Sequence, residues 1–370
     1  MRVLRALLVD DEEPARDRLR RMLAGVDGVE VVGEAADGTE ALERIHEDRP
    51  DLVFLDIEMP GLTGIEVAKR LAPPRPRIVY CTAYDRYAVQ AFDEDVEDYL
   101  LKPVSLHRLT RSLERVRRTV DEDDRLRREF ADAGRTQARL YPRDLPALHR
   151  LEFAGRCLPA HEVGGDYYDF LPLGDGRLGI ALGDVSGKGL DAGLLMAGLQ
   201  ARLQSLAPRF GLRLDELISE LNRSLVASVE SHRYATLFYG VFDDTSRELV
   251  YVNAGHPWPL VVQSDGPAPA ETAVLESSGT VIGLLPDGAW TACRRVLRPG
   301  DVLCAFSDGV TEATDPEGVE FGSARLADVL ARDATLSAER LCQAVLDEVA
   351  RFSRGAAPTD DRTVVVARAR

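Results

Sequence analysis

The sequence predicts an α/β protein of two domains, a five-stranded parallel sheet wrapped by helices and then a sheet sandwich covered by helices. From residue 4 to residue 120, short apolar runs alternate with amphipathic segments, which is typical of a doubly wound parallel sheet. From residue 148 onward, short alternating strands outnumber helices, which favours a sandwich. The length of 370 residues agrees with two domains, because single cores stop growing beyond roughly 250–300 residues.

The composition excludes several classes of protein. The chain carries 62 Asp and Glu against 46 Lys and Arg, a formal net charge of −16, which argues against a nucleic-acid partner. Its five cysteines include no C-x-x-C pair, so a disulfide framework and a thiolate zinc site are disfavoured and a reducing compartment fits. No stretch approaches the roughly 20 apolar residues that span a bilayer. We therefore expect a cytoplasmic protein with no membrane partner.

Five short apolar runs predict the strands of the first domain, at 4–9, 29–33, 51–55, 78–81 and 98–101. Polar residues stand at or just after the ends of four of these runs: Asp10, Asp11, Asp56, Thr82 and Lys102. Ligands of parallel sheets bind beyond the carboxyl ends of the strands, so we expect these side chains at one rim.

The chemistry of this rim suits phosphoryl transfer. Three converging carboxylates repel one another, and a hard divalent cation with oxygen ligands, Mg²⁺ first of all, relieves that repulsion. A carboxylate beside such an ion can act as a nucleophile toward a phosphoryl group, with Lys102 as a point charge and Thr82 as a hydroxyl donor. Any single Asp could equally cap a helix or end a strand. The five positions together disfavour that interpretation.

Residues 1–122 resemble the receiver domain of two-component response regulators. Four motifs carry the resemblance in the family's order: Asp10-Asp11, Leu-Asp-Ile-Glu-Met-Pro-Gly at 55–61, Cys-Thr-Ala at 81–83, and Tyr-Leu-Leu-Lys-Pro at 99–103. The resemblance implies a histidine kinase as partner and Asp56 as the phosphoacceptor. It further implies Mg²⁺ held by Asp10, Asp11, Asp56 and the backbone carbonyl of Glu58, a contact from Lys102 to the phosphoryl group, and Thr82 and Tyr99 as the switch pair.

A connector at 103–147 follows, overlapping the last receiver helix. Apolar residues recur at steps of three and four, interrupted only at 121–124: Leu106, Leu109, Leu113, Val116, Val120, Leu126, Phe130, Ala133 and Leu140. So narrow a stripe on a polar helix predicts a two-stranded coiled coil and hence a homodimer. The alternative is a linker helix that packs one apolar edge on its own receiver. We expect the helix to end before Tyr141-Pro142.

The second domain, 148–370, carries four acidic loops beside its predicted strands, and helical patterns near 190–208, 213–230 and 323–352. The loops are Val-Gly-Gly-Asp-Tyr-Tyr-Asp at 163–169, Gly-Asp-Val-Ser-Gly-Lys-Gly at 183–189, Phe-Ser-Asp-Gly-Val at 306–310, and Thr-Asp-Asp-Arg-Thr at 359–363. Oxygen ligands without imidazole or thiolate select Mg²⁺ or Mn²⁺. Four acidic loops supply more carboxylates than one ion needs, which favours a two-metal centre. Asp308-Gly309 alone is more often a turn, and the Gly-rich loop at 183–189 lacks P-loop spacing.

This second segment resembles the metal-dependent PPM-type serine/threonine phosphatases, most closely the bacterial branch that controls sporulation and the general stress response. The four loops carry the resemblance together with Asn-Ala-Gly-His-Pro at 253–257. It implies an α-β-β-α sandwich with two Mn²⁺ or Mg²⁺ ions and with Asp184 and Asp308 as catalytic residues. The implied ligands are Asp166, Asp184, Asp308, Asp360 and the backbone carbonyl of Val185, with Asp361 as the alternative to its neighbour.

Two departures from the eukaryotic members concern the chemistry. Ser186 stands where those proteins carry a His that is assigned as general acid, and Glu162-Val163 stands where they carry a phosphate-binding Arg. Serine is not a useful acid near neutral pH, so we expect slow, regulated turnover. We expect His256 and Asn253 to stabilise a turn below the site.

The order of the motifs suggests a response regulator in which phosphorylation of Asp56 regulates a phosphatase, through the connector and the helices near 190–230. The substrate implied by the resemblance is a phosphoserine or phosphothreonine protein, and the bacterial branch suggests an anti-sigma-factor antagonist. The alternative is a phosphatase-fold module with weak or no activity that binds a partner protein under receiver control. A DNA-binding output is disfavoured, because no basic output segment is present.

Overall fold

The structure, a computed structural model, describes residues 2–83, 96–143, 145–228, 232–263 and 272–370. The chain divides into two compact units, Met1–Arg127 and Arg128–Arg370. None of the described helices combines the length and apolar character that a membrane span requires. The element labels below number the described helices and strands in chain order.

The first unit is the expected five-stranded parallel sheet, with strand order β2-β1-β3-β4-β5. Its strands are β1 Leu4–Val9, β2 Val29–Ala35, β3 Leu52–Asp56, β4 Arg77–Thr82 and β5 Asp98–Leu101. Its first three helices are α1 Glu13–Leu23, α2 Gly38–Asp48 and α3 Gly64–Arg70. Local sequence fixes two of the starts: the Asp37 side chain caps α2, and Thr63 forms a capping box with Glu66 at α3.

The connector forms one continuous helix, α4 Leu106–Gln137, which ends before Pro142 as the sequence predicts. The prediction of a coiled-coil stripe along its whole length is wrong for the first half. There Leu109, Leu113 and Val116 are buried in the core of the first unit, because they pack against one face of the parallel sheet. In the second half the apolar side chains of Leu126 and Phe130 are exposed.

The acidic interruption at 121–124 lies within α4, and two of its aspartates bind basic residues of the first unit. Arg2 reaches Asp124 with Nη1 3.1 Å from Oδ2, and Arg77 pairs with Asp123. These ion pairs replace apolar contacts at this turn of the helix and explain why the apolar pattern lapses there.

The second unit contains two five-stranded sheets, with strand orders β13-β10-β9-β8-β7 and β12-β11-β14-β15-β6. The strands of the first sheet are β7 Asp166–Gly174, β8 Arg177–Val185, β9 Ala235–Asp243, β10 Glu248–Ala254 and β13 Cys293–Val296. Those of the second are β6 Leu151–Leu158, β11 Leu260–Val262, β12 Thr272–Val274, β14 Val302–Phe306 and β15 Arg362–Ala369. All pairs within these sheets are antiparallel.

Helices cover both outer faces, which confirms the α-β-β-α sandwich. The helices are α5 Leu190–Phe210, α6 Leu214–Val226, α7 Asp308–Thr311, α8 Gly322–Arg332 and α9 Ala338–Phe352. One core lies between the two sheets, a second under α5 and α6, and a third under α8 and α9. The helix expected at 213–230 ends at Val226, and residues 229–230 lie outside the described part.

Candidate functional site

The sheet of the first unit brings three predicted acids together. Asp10 follows β1 and Asp56 ends the neighbouring β3, and both are buried, whereas Asp11 is exposed. Each offers a carboxylate oxygen within 4.8 Å of the others. Three oxygen donors at this spacing fit a hard cation such as Mg²⁺.

Lys102 supplies the counter-charge at this rim. Its Nζ lies 2.7 Å from Asp10 Oδ2 and 2.5 Å from Asp56 Oδ2. Burial raises the pKa of Asp56, and the hydrogen bond from Lys102 opposes that rise. The backbone N–H of Glu58 donates to Asp56 Oδ1 at 3.3 Å. The carboxylate is thus held in one orientation toward the rim.

The switch candidates lie on β4, the neighbour of β3, and on β5, the next strand outward. Thr82 is the last residue of β4 and is fully buried, and its carbonyl accepts from the Lys102 N–H at 2.7 Å. Tyr99 lies on β5 opposite Tyr80 and is partly buried against the apolar cluster under α2 and α3. Residues 84–95, which follow Thr82 in the sequence, are outside the described part.

In the second unit, the acidic loops from both sheets approach one another. Asp166 and Asp184 are direct cross-strand partners on β7 and β8. Asp308 begins α7 directly after β14, and Asp360 precedes β15, the strand paired with β14. Lys188, from the loop after β8, lies 3.1 Å from Asp360, and a Cβ on Gly309, next to Asp308, would lie 3.2 Å from the Asp360 carbonyl carbon. The loops of the two sheets therefore meet at one acidic centre.

The carboxylates of the acidic centre are partly or fully buried and repel one another. Burial, and next the charge of Asp308, raises the pKa of Asp184 to about 7. Burial also raises the pKa of Asp308, with Asp360 adding to the effect, and holds the pKa of Asp166 well above its usual range. Divalent cations relieve such repulsion, and a donor set made of oxygen alone fits Mg²⁺ or Mn²⁺.

A glycine lets the backbone approach these acids closely. A Cβ on Gly165 would lie 2.8 Å from the Val185 carbonyl oxygen and 3.3 Å from Asp184 Oδ1. The predicted carbonyl ligand therefore faces the same space as the Asp184 carboxylate. Among the residues the structure describes, three carboxylates within 4.8 Å of one another occur at Asp10, Asp11 and Asp56. The acids of the second unit are spaced more widely.

The structure distinguishes the adjacent acids Asp360 and Asp361. The buried Asp361 carboxylate accepts two backbone N–H groups of the first acidic loop, with Oδ2 2.8 Å from the Gly165 nitrogen and 3.3 Å from the Asp166 nitrogen. Its Oδ1 accepts from the N–H of Ala160, just before the loop, at 2.8 Å. The Asp360 side chain is 49% exposed, and its Oδ2 lies 3.1 Å from Lys188 Nζ. The geometry makes Asp361 an anchor of the loop and leaves Asp360 as the more accessible of the two candidate ligands.

The other residues singled out by the sequence have structural partners. Ser186 Oγ accepts from the Tyr234 N–H at 2.9 Å, so this hydroxyl holds a loop. His256 is buried, with Nδ1 2.8 Å from Thr236 Oγ1, and its backbone N–H donates to Asn253 Oδ1 at 2.9 Å. Burial lowers the pKa of His256 to about 3. These contacts confirm the turn-stabilising role of Asn253 and His256.

Sequence reasoning missed Gln137, the last residue of α4. Its buried amide makes two hydrogen bonds with the backbone of Gly164: Nε2 donates to the carbonyl at 2.7 Å, and Oε1 accepts from the N–H at 2.9 Å. The Tyr141 hydroxyl donates to the Asp166 carbonyl at 2.9 Å. The end of the connector is therefore bonded to the loop that presents Asp166. A single Gln on a polar helix has no pattern that would reveal this contact.

Two family models match the chain. Residues 174–370 match the family described as Stage II sporulation protein E (SpoIIE), and residues 6–114 match the response regulator receiver domain. Curated relatives align with the receiver part. The transcriptional regulatory protein BtsR is 46% identical over 123 residues in Salmonella typhi and 43% identical over 123 residues in Escherichia coli K12. Each alignment covers 33% of this chain and 52% of the relative, so the chain spans about half the length of these relatives.

Solved structures resemble the second unit. The RsbU and RsbW domains of Rv1364c from Mycobacterium tuberculosis are 30% identical with a TM-score of 0.53, covering 61% of this chain and 62% of that one. The SiaA-PP2C domain of Pseudomonas aeruginosa is 20% identical with a TM-score of 0.58, covering 67% and 98%. The phosphatase domain of SpoIIE from Bacillus subtilis, with a fragment of its regulatory domain, is 21% identical with a TM-score of 0.51, covering 60% and 64%. The last two likenesses show the PP2C fold.

The contrast between Asp360 and Asp361 can be tested with paired variants. We expect Asp360→Asn to weaken Mn²⁺ binding without lowering the melting temperature, because its carboxylate faces the acidic centre. We expect Asp361→Asn to cost about 1–3 kcal/mol of unfolding free energy, because an amide nitrogen would face a backbone N–H. Calorimetry measures Mn²⁺ affinity, and thermal unfolding measures stability. Both are carried out in an Asp10→Asn, Asp11→Asn background, which disables the receiver cluster. Equal effects of the two substitutions on both quantities would contradict this assignment.

The role of Gln137 predicts a defect in metal binding. Gln137→Ala leaves the buried N–H and carbonyl of Gly164 without these partners, so we expect at least tenfold weaker Mn²⁺ binding at the acidic centre. Gln137→Glu should be as severe, because its carboxylate would face the Gly164 carbonyl. The matched control is Thr136→Ala, whose exposed hydroxyl bonds within its own helix. Wild-type Mn²⁺ affinity in Gln137→Ala would refute the role.

Proposed function

This chain belongs to the stage II sporulation protein E family, whose model matches more than half of its residues, and we propose that it is a response regulator with a protein phosphatase as its output. In this assignment 1–122 is the receiver, 148–370 is the phosphatase and 103–147 connects them. The observation that carries the proposal is that the loops of Asp184, Asp308 and Asp360, from two sheets, lie against one another. The receiver match and the rim of Asp56 support the regulatory half.

The acids of each unit would hold the metal ions. At the receiver rim, Asp10, Asp11 and Asp56 would bind Mg²⁺ together with the Glu58 carbonyl. In the phosphatase, two Mn²⁺ or Mg²⁺ ions would bind Asp184, Asp308, Asp360 and the Val185 carbonyl, with Asp166 deeper in the site. Bound cations supply the charge that stabilises a phosphoryl group under attack. Asp184 and Asp308 are the catalytic residues in this proposal.

The proposed substrate is a protein phosphorylated on serine or threonine. The resemblance to phosphatases of bacterial sporulation and stress signalling supports an anti-sigma-factor antagonist as the substrate, and one solved relative consists of RsbU and RsbW domains. Lys188 stands at the acidic centre, with Nζ 2.8 Å from the Thr359 carbonyl and 3.1 Å from Asp360. Once cations neutralise Asp360, this ammonium group would be available to the substrate phosphate. It would then take the part of the phosphate-binding Arg of the eukaryotic members, which this chain lacks.

Control would pass from the receiver along α4. A histidine kinase phosphorylates Asp56, which replaces its carboxylate by an acyl phosphate that carries about −1.5 to −2 charges, and Thr82 and Tyr99 respond to the phosphoryl group. Helix α4 packs on the core of the first unit through Leu109, Leu113 and Val116 and ends at Gln137. A shift of this helix would move Gly164, and with it the loop of Asp166. Coupling of this kind typically supplies about 1–3 kcal/mol.

The second half of α4 supports a homodimer. Leu126 and Phe130 are 44% and 38% exposed, one helical turn apart on the same side. Pairing with a second copy would bury them, as the coiled-coil pattern predicts. All five cysteines are free, which supports a cytoplasmic location.

Hydrolysis of a phosphoprotein tests the output. We expect Mn²⁺-dependent release of phosphate from a phosphoserine protein, lost by at least a hundredfold in Asp184→Ala because a central ligand is removed. Serine-phosphorylated anti-sigma-factor antagonists are the first substrates to assay. Binding of such a protein without any hydrolysis by the wild type would favour the alternative, a module that sequesters its partner.

The regulatory half is tested with the phosphoacceptor. Treatment with a small phosphodonor should change the phosphatase rate of the wild type, because the new charge at Asp56 biases the position of α4. Asp56→Asn should keep the basal rate and lose the response. An equal response in the variant and the wild type would show that Asp56 is not the acceptor.

A further inference from the structure

A cavity of about 690 Å³ lies in the first unit, at the end of the sheet opposite the acidic rim. Its lining comes from three parts of the unit, the C-terminal turns of α2, the loop between α3 and β4, and α4 from Val120 to Arg127. Arg2, just before β1, and Asp51, just before β3, line it as well. The position at the amino ends of the strands separates this cavity from the proposed phosphorylation site by the length of the sheet.

The charge of the lining is opposite to that of the chain. Three aspartates line the cavity, Asp51, Asp123 and Asp124, against six arginines: Arg2, Arg49, Arg70, Arg75, Arg77 and Arg127. The whole chain has a formal charge of −16. A basic concavity in so acidic a protein concentrates positive potential and attracts small anions.

Two of the arginines already hold the aspartates of the lining. Arg2 Nη2 lies 2.5 Å from Asp51 Oδ1, and its Nη1 lies 3.1 Å from Asp124 Oδ2. Arg77 pairs with Asp123 and lies 3.0 Å from Glu97 Oε1. These bonds tie α4 to the amino ends of β1 and β4. Six arginines against three aspartates leave the lining with a formal excess of three positive charges.

The remaining wall is apolar. Leu42, Ile45, Leu71 and Val120 line it, together with prolines. Arginine binds phosphate through two parallel hydrogen bonds and stacks on flat rings, and apolar side chains cover a planar base. Volumes of about 300–1,000 Å³ are typical of small-molecule sites, and this cavity falls within that range.

We propose that this cavity binds a nucleotide that carries two or more phosphate groups. The arginines would hold the phosphates, and the apolar wall would hold the base. Phosphates bound here would compete with Asp124 and Asp123 for Arg2 and Arg77, and so would loosen α4 from the sheet. The site would give the connector a second input, independent of Asp56. Binding itself does not depend on the proposed phosphatase activity.

Titration calorimetry on the full chain tests the proposal. ATP, GTP and inorganic tripolyphosphate are the probes, in EDTA, so that nucleotide bound through divalent ions at the acidic centres does not contribute. We expect saturable binding of at least one nucleotide, weakened at least tenfold in Arg70→Ala, Arg75→Ala and in Arg49→Ala, Arg127→Ala. The matched control is Arg111→Ala, an exposed position of α4 outside the cavity. Thermal unfolding of each variant confirms that it is folded.

The outcomes separate the alternatives. Saturable binding of a nucleotide that both double variants weaken and the control keeps supports the proposal. If neither ATP nor GTP binds, the proposal is overturned. Binding that the double variants leave unchanged places the nucleotide elsewhere and also overturns it. Tripolyphosphate binding as tight as that of the nucleotides would show that the base makes no contribution, and would overturn the assignment of a nucleotide in favour of inorganic polyphosphate.

Discussion

Carboxylates crowded at the edge of a sheet need a counter-charge, and both units of this protein are arranged around that constraint. In the receiver, Lys102 lies between Asp10 and Asp56 and partly neutralises the rim. In the second unit, Lys188 contacts Asp360 at the surface, while burial and mutual repulsion raise the pKa of Asp184 to about 7. The geometry of each site suits a bound cation, which would relieve the remaining repulsion. It is also sensitive to small movements of the loops that carry the acids.

The loop of Asp166 is the point where such movements can be imposed. Backbone groups of Gly164, Gly165 and Asp166 are each bonded to a side chain from a distant part of the chain. Gln137 holds Gly164 from the end of α4, and Asp361 holds the next two residues from the start of β15. Buried hydrogen bonds of this kind are costly to leave unmade, so a change in α4 must be accommodated by the loop or resisted by it. This gives the connector a physical means of setting the geometry of a candidate metal ligand.

The sequence was sufficient for elements whose signals are local. The alternation of apolar runs located all five parallel strands, and Pro142 marked the limit of α4. The acid at the end of β3 and the lysine after β5 were placed at one rim by topology alone. Residues that depend on distant contacts were not assignable. Asp360 and Asp361 are chemically identical neighbours, and only the backbone groups around them separate anchor from candidate ligand. The stripe on α4 could not show that Leu109 and Leu113 meet a sheet while Leu126 meets solvent.

The central claim is that α4 transmits the state of Asp56 to the loop of Asp166 through Gln137. Amide hydrogen exchange at Gly164 measures this most directly, because its N–H donates to Gln137 Oε1. The account predicts that a phosphodonor changes the exchange rate of this amide in the wild type and leaves it unchanged in Asp56→Asn. In Gln137→Ala the amide should exchange rapidly with or without the phosphodonor. A phosphatase response in the wild type with no change in exchange at Gly164 would contradict the account.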